Sequence, residues 1–135
     1  MEPLEGIAEA DARLGRPMPL PGVALPLARW VDVVAVAPHA VEVSWNLDDS
    51  REGAPGRVAL YAGQDPPPPR ELAGATEPHE LAEGLSHREA PLAEAQESLR
   101  PVHELVWRLD ALHLRLTAQG PWDDVALRAI VAAIP

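Results

Sequence analysis

From Val41 to Leu47 the chain alternates apolar and polar side chains, Val41, Val43, Trp45 and Leu47 against Glu42, Ser44 and Asn46. Strict alternation over seven residues is the signature of a strand with one dry and one wet face. The mostly β-branched run Trp30–Val36 precedes it across the turn Ala37-Pro38-His39-Ala40, and Arg57–Ala62 returns as a further strand after the polar loop Asp48–Gly56. The same pattern recurs near the carboxy terminus. His103, Leu105, Trp107 and Leu109 share one side of Val102–Leu109, and Leu112, Leu114 and Leu116 oppose His113, Arg115 and Thr117 in the next strand. Asp110-Ala111 joins the two, and because Ala111 is not the Gly that a two-residue turn prefers, a longer loop is expected.

Helical spacing replaces alternation at both ends. Leu4, Ile7, Ala8 and Leu14 predict an amphipathic helix over Pro3–Leu14, with Glu2 and Glu5 in its first turn and Gly15 just beyond. After Pro121 and the acidic pair Asp123-Asp124, Leu127, Ile130, Val131 and Ile134 repeat at i, i+3, i+4 and i+7 and predict a helix over residues 121–134 that covers the sheet. Burying four such side chains contributes about 1.5–3 kcal/mol each before ordering entropy is subtracted.

Prolines set the limits. Pro17, Pro19, Pro21 and Pro26 remove donors from Arg16–Leu27, which should run extended and pack Leu20, Val23 and Leu25. The run Pro66–Pro69 favours polyproline II and ends the first group of strands. Residues 71–100 are ambiguous between strand and helix: Leu81–Ala90 reads as an edge strand and Leu92–Leu99 as one or two helical turns. The expected fold is therefore α+β, an antiparallel sheet of five to six strands with an N-terminal helix and a C-terminal helix packed on it. One domain is expected over 1–135, divided into helix and Pro-rich connector (1–29), sheet (30–118) and closing helix (121–134).

Composition narrows the function. The chain has 135 residues, enough for one core, with four Trp, one Tyr and no Phe. Trp30, Trp45 and Trp107 are the expected core anchors. A net charge of −10, with no Lys, argues against nucleic acid and against adsorption to a membrane surface. The amino terminus is acidic and lacks an apolar run, and about 18 consecutive apolar residues occur nowhere, so a cytoplasmic location is expected. With no Cys, disulfides, thiolate metal sites and cysteine nucleophiles are excluded.

The tail Leu105-Val106-Trp107, Leu112–Thr117, Leu127 and Ile130 resembles the closing unit of small bacterial sheet domains of unknown function, some attached to membrane-bound anti-sigma regulators. Such domains are similar in outline to half-barrel lipoprotein carriers. The resemblance covers about the last quarter of the chain, implies a sheet closed by a helix, and assigns no site residue.

Candidate chemistry is sparse. His39, His79, His87, His103 and His113 are potential ligands, yet none shows a metal-ligand spacing, and His113 shares its face with Arg115. Asp48, Asp49, Ser50 and Glu52 depart from calcium-loop spacing and include Arg51. Neither a GxSxG elbow nor a phosphate loop is present. No catalytic residue, cofactor or metal site is assigned, and the chain is expected not to be an enzyme. The leading expectation is a non-enzymatic protein-interaction or binding module, with a protein or a second copy of itself as partner in a possible homodimer. Val34, Val36, Tyr61 and Val106 are the candidate partner surface, an apolar strip on the sheet face away from a helix. The alternative is a small-molecule or lipid carrier with a pocket between sheet and helix, and after it a hydrolase with an unrecognised site.

Overall fold

A computed structural model describes residues 2–21, 30–46, 57–68, 75–90, 102–119 and 122–134. These contain strands β1 (Glu2–Pro3), β2 (Trp30–Ala37), β3 (Ala40–Asn46), β4 (Arg57–Gly63), β5 (His79–Ala82), β6 (Leu85–Ala90), β7 (Val102–Leu109) and β8 (Leu112–Gln119), with helices α1 (Ile7–Leu14) and α2 (Asp124–Ala132). The strands form one sheet in the order β1-β2-β3-β4-β8-β7-β6-β5, and every neighbouring pair is antiparallel.

The fold is the expected α+β sheet with a helix near each end, but it has eight strands rather than five to six. Two local events account for the difference. Glu2 and Pro3 pair with Ala35 and Val34 instead of opening a helix, so the sheet begins inside the segment expected to be helix and connector. Gly6 separates that strand from α1, which starts only at Ile7. Further along, Gly84 adopts φ 74° and folds Leu81–Ala90 into a hairpin where a single edge strand was expected. Leu92–Leu99 lies outside the described residues.

At the β7–β8 turn Leu109 pairs with Leu112, so Asp110-Ala111 is a two-residue connection after all. Asp110 supplies the positive φ, 53°, which Asp tolerates better than most side chains do.

Cross-strand register gives the sheet two chemically distinct faces, because directly opposed residues point the same way. One row runs Val43, Leu60, Leu116, Leu105, and a parallel one runs Val41, Ala62, Leu114, Trp107. Both helices lie on this face: Ala10 and Leu14 of α1 and Leu127 and Ile130 of α2 join the same core cluster. Ile134 and Trp122 are buried in it and Val131 packs against it, as the stripe predicted. Asp123 starts α2 by accepting the Ala126 N–H at 2.7 Å.

The largest fully buried side chains are leucines and valines. Trp45 and Trp107 are only half-buried against them, and Trp122 is the buried indole among the described residues. The side chain of Trp30 lies outside the described residues, as do Val23 and Leu25.

Candidate functional site

The apolar row through Val43, Leu60, Leu116 and Leu105 does not end in another aliphatic residue. It continues into His87 on β6 and His79 on β5. His103 stands one row along on β7, directly opposite Glu89 and diagonal to His87. Three imidazoles therefore meet on the helix-covered face beside the start of α2. His87 Nδ1 lies 3.1 Å from His79 Nε2, and His87 Nε2 lies 3.1 Å from His103 Nδ1. The array runs inward, from exposed His79 to His87 and His103, both 3% exposed.

Burial holds the His87 imidazole below the ordinary histidine range, aided by the His103 and His79 rings and opposed by Asp124 and Glu89. Burial also lowers His103, against the opposite pull of Glu89, Asp124 and the Trp122 backbone. Glu89 Oε2 is 4.0 Å from His103 Nδ1. His103 Nε2 is buried with no hydrogen-bond partner in good geometry. The rings spend their facing nitrogens on one another, and among the described residues no group of three or more His, Asp or Glu side chains is arranged to hold a metal ion.

Sequence reasoning placed His103 correctly with Leu105 and Trp107 but did not bring the three histidines together. Pairing of β6 with β7 is what does so, and β6 lies in the ambiguous segment. The alternation Leu85, His87, Glu89 was the available signal. His39 is elsewhere, with Nδ1 3.3 Å from the Arg13 carbonyl, and His113 sits half-buried on the opposite face. The acidic loop Asp48, Asp49, Ser50 and Glu52 lies outside the described residues.

The second face carries polar side chains. Val34, Glu42, Tyr61, Arg115, Val106 and Ser86 form one cross-strand row. Three of the four candidate surface residues thus share a row, with Glu42 and Arg115 interposed. Val34 and Val106 are half-buried, whereas Tyr61 is 3% exposed and donates its hydroxyl to the Asp65 carbonyl at 2.9 Å. Burial raises the Tyr61 phenol above its ordinary value, with Asp65 reinforcing and Arg115 opposing. Val36 is the extra residue of a β-bulge between Ala35 and Ala37. Pro68 reaches this face, its carbonyl accepting from Arg115 Nη1 at 2.8 Å.

A groove of about 350 Å³ opens at the β1 end of this face, lined by Pro3, Leu4, Asp32, Val34, Glu42 and Ser44 together with Val33 and Arg57. Arg57 Nη2 donates to Ser44 Oγ at 2.8 Å. β1 covers β2 only at Val34 and Ala35, and Leu4 N–H adds a bond to the Val33 carbonyl. Beyond that step, among the described residues no strand pairs with the outer edge of β2 at Trp30–Asp32.

Compared with known proteins, the chain matches no family model, no curated protein and no solved structure. Among the described residues no helix is long and apolar enough to cross a membrane.

Proposed function

We propose that the chain is a non-enzymatic interaction module that receives an extended, basic segment of a protein partner along the outer edge of β2. The observation that carries this reading is the step left by β1, where an edge of β2 that no described strand pairs with coincides with a groove holding Asp32, Glu42 and Arg57. Main-chain hydrogen bonds to a strand edge supply affinity, and alternate side chains entering a groove supply specificity. In the groove Asp32 and Glu42 outnumber Arg57, whose guanidinium is engaged by Ser44, and on a chain of net charge −10 that balance favours a cationic partner over an acidic one.

A carrier, in contrast, needs an apolar cavity beneath the helices. The side chains of Leu60, Leu105, Leu116, Leu127 and Ile130 occupy that layer, which supports the interaction reading over the carrier.

Selection of displayed extended peptides against the chain tests the proposal. The expected winners carry Arg or Lys at alternating positions, and Glu42→Lys weakens their binding by about tenfold or more. Winners without basic enrichment, or binding indifferent to Glu42→Lys, would contradict it.

A further inference from the structure

At the opposite edge of the sheet, and independently of the partner groove, the three imidazoles form a chain whose proton capacity can be counted. Two N···N contacts of 3.1 Å link three rings, and each contact needs one N–H donor and one bare acceptor nitrogen. Two protons therefore occupy the contacts. Only His79 Nδ1 and His103 Nε2 remain outside them, so the array holds at most four protons with both links intact. Three neutral rings already carry three.

We propose that this array is a proton-sensitive clasp on the β5 edge: it accepts one proton with both hydrogen bonds preserved, and a second proton breaks a link and releases β5 from β6. The first added proton is shared along the chain, for instance with His87 donating to both neighbours. A fifth proton in the array must place two N–H groups face to face in one contact and put a second positive charge beside the first.

The outer link is the one that opens. His79 is exposed and recovers water when it turns away, whereas His103 is enclosed beneath the start of α2. What else holds β5 is slight. The strand has four residues, pairs among the described residues with β6 alone, contains a register shift between Glu80 and Ala82, and packs Leu81 against the core. From α2 it receives one bond, Arg128 Nη2 to the Leu81 carbonyl at 3.0 Å.

The charged and titratable groups facing the array are His79 on β5, Glu89 on β6, His103 on β7 and Asp124 on α2, with Arg128 of α2 on the neighbouring backbone. Glu89 and Asp124 favour the first proton, while burial and ring-to-ring repulsion oppose further uptake. No reactant besides solvent protons is required.

Amide hydrogen exchange of the whole chain between pH 7.5 and 5, corrected for the intrinsic effect of pH, reads the release directly. Protection at His79–Ala82 is expected to fall by about tenfold or more relative to β4 and β8, while the nitrogen-15 shifts of the His87 and His103 imidazoles titrate in coupled steps. His79→Gln, at an exposed position, retains the fold and is expected to abolish the pH dependence, because a carboxamide offers donor and acceptor at any pH. Constant relative protection of β5, independent titration of His87 and His103, or undiminished pH dependence in His79→Gln would each overturn the proposal.

Discussion

Arg88 and Glu104 face each other across β6 and β7, on the side of the sheet away from the helices, with Arg88 Nε 2.8 Å from Glu104 Oε1. The Glu104 side chain is 8% exposed and its other oxygen is buried without a hydrogen-bond partner. Removing one member of such a pair leaves a buried charge uncompensated. Arg88→Met is expected to destabilise the chain by about 3–5 kcal/mol, and the double variant Arg88→Met/Glu104→Leu by less than the sum of the single changes. Urea unfolding of the three variants reads the non-additivity.

The closing helix supplies apolar area that the sheet cannot provide for itself. Leu127 is fully buried and Ile130 is 4% exposed. Ile130→Ala should cost about 2–5 kcal/mol by the loss of contacts and the cavity left behind. Truncation before Pro121 removes Trp122, Leu127, Ile130 and Ile134 together and should yield insoluble protein. A soluble fragment with a cooperative unfolding transition would contradict the sealing role of α2.

Stability should fall with acid, and the sign follows from the histidines. His87 and His103 are held below the ordinary imidazole value in the fold, so on acidification the unfolded chain binds protons first. Their contribution is complete above about pH 6.5, the unfolded value, and is lost as pH drops from there towards the lower folded values. Urea midpoints taken from pH 8 to 5.5 should therefore decline below about 6.5, and the decline should shrink when both histidines are replaced by Leu.

Gly63 closes β4 where no side chain fits. A Cβ placed there would strike the Tyr61 hydroxyl, lie 2.8 Å from Tyr61 Cζ and 2.9 Å from Ala40 Cβ. Gly63→Ala should displace the ring from the Asp65 carbonyl and cost about 1–3 kcal/mol, visible as a lowered melting temperature and a changed tyrosine fluorescence.

Legibility in the sequence followed the length of each pattern. The β7–β8 hairpin and α2 were readable because alternation and the i, i+3, i+4, i+7 stripe persist over whole elements, and their buried faces match the register. β1 was not, since two residues carry no periodicity and Glu2-Pro3 resembles a helix start as much as a strand. β5 escaped because its side chains are mostly exposed, which leaves no apolar alternation to see. Of the expected Trp anchors, Trp45 and Trp107 pack against the core only half-buried, because Leu and Val fill the centre of the sheet, and the side chain of Trp30 lies outside the described residues. The histidine array depends on three strands being adjacent, a relation between distant segments that spacing along one chain does not contain.

The edge of β2 is the proposed seat of a partner. Amide and side-chain NMR shifts of the chain, recorded while an extended basic peptide and its acid-substituted counterpart are added in turn, test this directly. The basic peptide is predicted to move Asp32, Val34, Glu42 and Ser44 and leave α2 and the three histidines undisturbed, while the acidic one moves nothing. Shifts centred on α2, or equal responses to both peptides, would contradict it.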